Sequence, residues 1–390
     1  MTQHQTSSKQ LMVSILSLSL LTVMAGAAVA PALGVIQAYF ADSNPLFVQM
    51  VISVPAIFIV ITNFFFPRLC RAFGAKTLVL GGLLLYTVGG CIAGAFSHIG
   101  LVLIMRALVG VGVGIIMPLS TGLLAFYFTP GEQERLMGYS SAMNQMGGVV
   151  ATLLSGLLAN ISWRASFLVY LMGFISIVLC LIFLPNDKVV QEGPQGEPKK
   201  TSDVFKENYT YIVAMFLLMT TFFVYPANFA METVSDGLIP HQYIAVIMAG
   251  MDFVAFFGGL LFVRMKLLCG NKMKFLAPGL FLAGYLLLAL VGGWIGTLVG
   301  SACIGFANGV GIPFIISEAS MRLGRAAATT VMPLISAALY LAQFLSPVLM
   351  SVVKLSFGSA APLHLPYYFA VVLAFLFCLW SSSLSSGKKD

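Results

Sequence analysis

Charge is the property that this 390-residue chain has least of. Asp, Glu, Lys and Arg make up only 8% of the residues, whereas apolar residues make up 59% and the mean hydropathy is +0.98. A typical soluble domain has about 25% charged residues, with which it covers much of its surface. The composition therefore excludes an ordinary soluble domain and predicts a chain whose solvent is lipid.

Residues grouped for catalysis or metal binding are also missing. The six cysteines and four histidines are scattered, and none has a partner at metal-ligand spacing. The sequence has no Gly-x-Ser-x-Gly, no phosphate-binding loop and no His–Asp cluster. We therefore expect no metal, no cofactor and no enzymatic activity. A membrane-embedded enzyme or a non-transporting receptor remains the alternative from another functional class.

Long apolar runs are what the chain has in abundance. A helix needs about 20 such residues to cross a bilayer core of about 30 Å. The runs predict an all-α integral membrane protein with twelve transmembrane helices. They cover residues 11–40, 45–66, 77–97, 99–127, 136–160, 165–185, 209–231, 240–264, 275–294, 296–319, 327–354 and 364–384.

The few basic residues indicate which way the chain is inserted. With the N-terminus inside, all of the 20 Lys and Arg residues except Arg106, Arg164 and Lys354 fall in tails, inner loops or inner helix ends. This asymmetry is the positive-inside pattern, and it predicts that both termini are cytoplasmic. The net charge of +7 then reflects topology, and we expect the lipid bilayer and no nucleic acid as a partner.

The chain divides in the middle and its halves look related. Residues 186–208 are rich in Pro, Gly and charge, which predicts a cytoplasmic linker between six-helix bundles at 1–185 and 209–390. Gly74-Ala-Lys76 is echoed 196 residues later, and Gly112-Val-Gly114-Ile is echoed 197 residues later. A duplicated six-helix unit predicts a substrate site near the membrane midplane, between the halves.

The fourth span carries the most informative motif. Arg106 lies inside it and is followed by Gly110, Gly112 and Gly114. With this motif the chain resembles the major facilitator superfamily over essentially its full length, and it looks like a bacterial drug/proton antiporter or a sugar-efflux member. The loop after span two, with Gly74 and Lys76, also resembles a family signature. It departs from that signature at Pro67 and Arg71, which stand where the family has Gly and Asp.

Further positions follow from the resemblance and from polarity within the spans. Gly147 and Gly148 in span five resemble the Gly-rich motif of antiporter members, although the Gly-Pro pair of that motif is absent. Polar and aromatic side chains within the spans are the candidates for substrate binding. They are Asn144, Gln145, Tyr225, Asn228, Tyr340 and Gln343.

Two charged residues inside spans are predicted to couple transport to protons. Asp252 lies about halfway along span eight, and Arg106 lies several residues inside span four. A charge at this depth is costly and is often functional. Each has a structural alternative: Asp252 as a hydrogen-bonded acid, and Arg106 as a residue that binds backbone carbonyls. Span one lacks the acid that many drug–proton antiporters have there.

Together these features predict a secondary transporter that works by alternating access. We expect it to act as a monomer and to export a small, amphipathic organic molecule in exchange for protons. An organic-anion carrier, in which Arg106 binds the substrate, and a lipid flippase of the same fold are the alternatives.

The topology can be tested by labelling. In a background without native cysteines, Ser202→Cys and Ser386→Cys should react only with reagents that reach the cytoplasmic side, because both lie in segments predicted to be inside. Asp42→Cys, in the first outer loop, is the matched control and should react from outside. Labelling of either Ser position from outside would overturn the twelve-span orientation.

Overall fold

The computed structural model describes residues 8–188, 201–358, 362 and 364–384, and this part of the chain is almost entirely helical. Contacts divide the chain into two compact units, Met1–Gln191 and Glu192–Asp390. The first unit contains α1 (Ser8–Ala27), α2 (Leu33–Tyr39), α3 (Pro45–Ala72), α4 (Ala75–Ala93), α5 (Ile99–Tyr127), α6 (Pro130–Ala159) and α7 (Met172–Phe183). The second contains α8 (Thr201–Asp236), α9 (Ile244–Cys269), α10 (Leu276–Leu290), α11 (Gly293–Phe357) and α12 (Leu365–Ser381).

The helices account for all twelve predicted spans. Ten stretches of the described chain are long and apolar enough to cross a membrane, and one of them, His241–Leu290, contains both α9 and α10. The shorter apolar helix Leu365–Ser381 occupies the last predicted position. Two spans are interrupted by 3₁₀ turns, at Ala30–Ala32, which contains Pro31, and at Ala165–Leu171. The prediction of an all-α membrane protein is confirmed.

The prediction of a break between spans ten and eleven is wrong. Both spans belong to one continuous helix, α11, of 65 residues. The segment 320–326 reads as a loop from its two arginines, Arg322 and Arg325. Gly324 is a poor helix former, but Arg, Met, Leu and Ala in this segment are good ones, and no proline interrupts it. Local helix propensity therefore carries the backbone conformation through it.

Glycines allow the helices of the first unit to touch backbone to backbone. A Cβ atom at Gly110 would collide with the Pro55 carbonyl oxygen, and one at Gly114 would lie 3.2 Å from the Ile59 carbonyl oxygen. These glycines sit four residues apart on one face of α5, so the α3 backbone lies directly against them. Gly112 faces the other way and packs on α4.

The second unit repeats this contact. A Cβ atom at Gly305 would collide with the Met251 carbonyl oxygen, and one at Gly309 with the Ala255 carbonyl oxygen. Gly305 and Gly309 lie 195 residues after Gly110 and Gly114, and the contacted residues of α9 lie 196 residues after those of α3. The same helix pair therefore packs through the same small-residue face in each unit.

Replacing one of these glycines tests the contact. Gly309→Ala should lower the melting temperature of the purified protein in detergent, because overpacking of this kind costs about 1–3 kcal/mol. Gly250→Ala is the matched control: Gly250 also lies within a helix, but a Cβ atom there has no neighbour within 4 Å. It should leave the melting temperature unchanged or raise it slightly. Equal effects of the two substitutions would contradict the close packing of α9 and α11.

Candidate transport residues

Arg106 is the largest fully buried side chain of the described structure, with 0% of its surface exposed. Its Nε donates a hydrogen bond of 2.7 Å to the carbonyl oxygen of Val51 in α3. Pro55 lies four residues later in α3 and has no N–H to donate to that carbonyl. Arg106 therefore supplies the hydrogen bond that Pro55 removes from the helix.

The other nitrogens of the guanidinium donate hydrogen bonds near the end of α1. Nη2 donates to the carbonyl oxygen of Ala25, and Nη1 donates to the hydroxyl of Tyr170. Tyr170 itself donates a hydrogen bond of 2.9 Å to the Ala25 carbonyl. Ala25 lies in the last turn of α1, where carbonyls lack partners within the helix. One arginine thus joins α1, α3 and the segment that contains Tyr170.

These contacts show what Arg106 does in the structure of the first unit. Its contacts in the described chain are two main-chain carbonyls and a tyrosine, and they include no carboxylate. The guanidinium carbon also lies 5.3 Å from the centre of the Tyr170 ring. This is the arrangement of the structural alternative, and a role in proton coupling stays a prediction.

The predicted polar residues of span five lie on α6, where Asn144 contacts α1. The Thr22 hydroxyl donates to the Asn144 side-chain oxygen at 2.5 Å, and Gln145 is partly buried. A Cβ atom at Gly147 would collide with the Leu20 carbonyl, while Gly148 is buried beside it. Asn144 thus bridges helices, and Gly147 allows the two helix backbones to approach.

In the second unit, Tyr225 and Asp252 lie near each other. The Tyr225 hydroxyl shares a hydrogen bond of 2.7 Å with Ser301, and its ring stacks on Phe229 at 4.4 Å. The carboxyl group of Asp252, which is partly buried on α9, is close enough for its charge to act on the Tyr225 hydroxyl. The sequence placed these residues on different spans, and the fold brings them together.

The other predicted binding residues of this unit lie on α8 and α11. Asn228 is buried, and its amide donates a hydrogen bond of 2.9 Å to the Val224 carbonyl of its own helix. Gln343 is also buried, whereas Tyr340, three residues before it on α11, is partly exposed. The structure joins α11 to α8 at this level through a 3.2 Å hydrogen bond from Ser346 to the Thr220 carbonyl.

The loop with Gly74 and Lys76 contacts the start of the linker. The backbone N–H of Ala75 donates to the Asp187 carbonyl at 2.8 Å, and the Tyr127 hydroxyl donates to the Asp187 carboxylate at 2.8 Å. These two hydrogen bonds join Asp187, at the start of the linker, to the ends of α4 and α5.

Sequence reasoning missed two charged clusters. Lys266 and Glu318 form an ion pair of 2.7 Å between α9 and α11. His364 lies 3.5 Å from a carboxylate oxygen of Glu232 and 3.7 Å from one of Asp236. Only the spacing of the two acids on α8 signalled this second cluster.

The family model for the Major Facilitator Superfamily matches residues 15–347. The chain belongs to the major facilitator superfamily. It therefore belongs to a family of integral membrane proteins. The expectations from the Arg106–glycine motif about family and fold are confirmed.

Several relatives are multidrug resistance proteins by name. The chain is 27% identical over 195 residues to Multidrug resistance protein 2 of Bacillus subtilis, which covers 48% of each protein. It is 32% identical over 118 residues to a Multidrug resistance protein B homolog of Mycobacterium tuberculosis, which covers 30% of this chain and 22% of the relative. The matches thus span half or less of these relatives.

Solved structures share the fold across the whole chain. The nucleoside transporter NupG superposes with a TM-score of 0.74 at 14% identity, covering 96% of this chain and 100% of that one. A bacterial homolog of the human lysosomal transporter Spinster gives a TM-score of 0.70 at 14% identity, covering 98% of each chain. At this identity the likeness concerns the fold alone.

Measurements of protein stability can test the structural role of Arg106. Arg106→Leu should lower the melting temperature in detergent, since each carbonyl left without a partner costs about 1–3 kcal/mol. Arg106→Lys should recover only part of the loss, because an ammonium group cannot reach both carbonyls with the planar fork of a guanidinium. Arg71→Leu, at an exposed position, is the control and should change little. Unchanged stability of Arg106→Leu would refute the structural role.

Proposed function

We propose that the protein exports small, amphipathic organic molecules across a bacterial cytoplasmic membrane in exchange for protons. Both termini face the cytoplasm in this proposal. The observation that carries it is the partly buried carboxyl group of Asp252, within an apolar helix long enough to span the membrane. Asp252 is the acid that takes up and releases the transported proton.

The position of Asp252 supports this assignment. By sequence it is the one acid near the centre of an apolar span, with Glu232, Asp236 and Glu318 nearer to span ends. An ionised carboxylate is expensive in a membrane, and protonation removes that cost. The ionised carboxylate is stable where water reaches it, and the protonated acid is stable where water is excluded. Such a group can couple proton uptake to a conformational change.

The cycle follows from the charge of this one group. Protonation from the outside neutralises Asp252 and favours the state in which it is shielded from water. Release of the proton to the cytoplasm restores the charge and favours binding of the next organic molecule. Alternating access then exchanges one species for the other without a direct leak.

The proposed substrate class draws on the side chains of α8. Tyr225 and Phe229 stack on each other within the unit, and Asn228 lies one turn from Tyr225 on the same helix. Aromatic faces with a few polar groups suit flat, amphipathic molecules better than sugars, which need many hydrogen bonds. Names of relatives, among them quinolone resistance proteins of Staphylococcus aureus and a riboflavin transporter of Clostridioides difficile, fit the same class.

The organic-anion alternative is less favoured. It requires Arg106 to bind the substrate, but Nε, Nη1 and Nη2 of its guanidinium already donate to Val51, Tyr170 and Ala25. An anion would have to displace these bonds and leave carbonyls without partners in an apolar interior. No observation in the described structure specifically favours a lipid substrate.

The coupling role is tested by Asp252→Asn in proteoliposomes with an internal pH dye. Ethidium, norfloxacin and riboflavin serve as probes, and the one that the wild type moves with proton exchange is then followed. Asparagine imitates the protonated carboxyl group permanently. Uphill transport driven by a proton gradient should therefore be lost, while downhill exchange of labelled for unlabelled probe continues.

Asp42→Asn is the matched control, because it neutralises an exposed acid in the loop between α2 and α3. It should keep both activities. If Asp252→Asn still accumulates the probe at the wild-type rate, Asp252 is not the coupling group. If no probe moves protons with the wild type, the proton-exchange proposal itself fails.

A further inference from the structure

Two acids lie at the end of α8, and the last turn of this helix has no basic residue. Glu232 and Asp236 are four residues apart, so their carboxylates share one side of the helix. Two like charges at this spacing repel each other, and the C-terminal end of a helix is already the negative end of its dipole. A positive charge from elsewhere in the fold would therefore stabilise the end of α8.

His364 places its ring against both acids. Its Nδ1 atom lies 3.5 Å from a carboxylate oxygen of Glu232 and 3.7 Å from one of Asp236. Among the described residues, no other Lys, Arg or His nitrogen lies within 4 Å of either carboxylate. His364 directly precedes α12, whose N-terminus disfavours a positive charge, so the two acids are what favours a protonated ring.

The distances indicate a contact that is longer than a hydrogen bond. Nδ1 is buried and makes no hydrogen bond in the part of the chain that the structure describes. Hydrogen bonds from N–H groups to oxygen are usually about 2.7–3.2 Å long, and those between charged partners are shorter. After a small movement, a protonated His364 can donate from Nδ1 to either acid.

The backbone and a neighbouring ring hold His364 in this position. Its φ of 60° is left-handed, which is uncommon for a residue other than glycine. Its ring is nearly parallel to that of Tyr367 in α12, with centroids 5.7 Å apart and planes at 18°. Because Tyr367 is buried, the fold fixes the imidazole beside the acids.

Protons from the solvent can reach this site. His364 keeps 13% of its side-chain surface exposed, and each of the two acids keeps 18%. A cavity of about 20 Å³, enough for one water molecule, lies beside Asp236 and is also lined by Thr233 and Tyr367. The imidazole can therefore gain and lose a proton without a large rearrangement of the helices.

We propose that Glu232, Asp236 and His364, defined here as the α8–α12 latch, form a pH-dependent link between the end of α8 and the start of α12. Histidine changes its charge between about pH 5 and pH 8. In acidic medium the imidazolium pairs with both acids and closes the latch. At higher pH the ring is neutral, the carboxylates repel each other, and the end of α8 separates from α12.

The latch goes beyond the proposed export and does not depend on it. It needs neither a substrate nor a proton on Asp252, since its three side chains lie at the end of α8 and the start of α12. In the proposed orientation this end of α8 faces outside. The latch then makes the second unit respond to the outer pH.

Other titratable groups near the latch come from the helices that pack against it. Lys354 on α11 is close enough for its charge to act on Glu232. Tyr285 on α10 lies beside Tyr367, with ring centroids 6.3 Å apart, and its hydroxyl donates a 2.6 Å hydrogen bond to a main-chain carbonyl of α8. Lysine and tyrosine ordinarily titrate near pH 10. The pH response of the latch near neutrality therefore comes from His364.

Spin labels can measure the latch in the purified protein. In a background without native cysteines, Val234→Cys on α8 and Tyr368→Cys on α12 carry the labels, because Val234 is exposed and Tyr368 is partly exposed. The distribution of distances between the labels should be narrow at about pH 6, and broader with a longer mean at about pH 8.5. Equal distributions at the two pH values would overturn the proposal.

Two sets of substitutions identify the groups responsible. His364→Asn removes the titratable ring and keeps a residue that adopts a left-handed backbone readily. Glu232→Gln combined with Asp236→Asn removes the charges that the ring binds. In both variants the label distances should no longer change with pH.

His98→Asn is the matched control for the loss of a histidine. His98 directly precedes α5, as His364 precedes α12, but no carboxylate of the described chain lies within 4 Å of it. It should keep the wild-type response to pH. If His364→Asn also keeps that response, the latch is wrong, and the proposed function is unaffected because the measurement involves no transport.

Discussion

A main-chain carbonyl that faces hydrocarbon has no hydrogen-bond donor. The free-energy cost of leaving it unpaired governs the described structure. Proline residues create such carbonyls inside α3 and α8, because each lacks the N–H that would bind four residues back. Arg106 serves the carbonyl of Val51 freed by Pro55, and Tyr285 lies 3.3 Å from the carbonyl of Phe222, which Pro226 frees. Arg106 supplies the missing donor in the first unit, whereas in the second unit the Tyr285 hydroxyl donates mainly to the neighbouring Thr221 carbonyl, at 2.6 Å.

Backbone contact through glycine is the second constraint. Lipid tails are as apolar as leucine, so helices in a membrane gain little from burying apolar side chains against one another. Gly110 and Gly114 in one unit, and Gly305 and Gly309 in the other, instead let two backbones touch. Because a single added carbon atom would collide with a carbonyl oxygen at three of these four positions, the contact fixes the register of each pair.

The sequence predicted the class of fold well and the site only in part. Apolar runs of about 20 residues are a strong signal, so the twelve spans and the membrane location follow from them. Helix α11 shows the limit, since two arginines suggested a loop where local propensity keeps a helix. The sequence repeat and the packing repeat also differ by two residues. The sequence pairs Gly112 with Gly309, whereas the helix packing pairs Gly114 with Gly309.

Side-chain partners were the least predictable feature. Nothing in the sequence around Arg106 shows that its targets are Val51 and Ala25, because these are main-chain groups whose availability depends on Pro55 and on where α1 ends. The nearness of Tyr225 to Asp252, and of His364 to Glu232, likewise arises from packing between distant spans. Such pairs come from tertiary structure, which local spacing does not encode.

The contacts of α9 with α11 also restrict how Asp252 can move. Asp252 lies between Met251 and Ala255, whose carbonyls rest against Gly305 and Gly309. These two backbone contacts lie one turn apart on either side of Asp252. Bending or rotation of α9 at Asp252 would therefore separate α9 from α11. The position of Asp252 is therefore fixed by the packing of α9 on α11 and not by α9 alone.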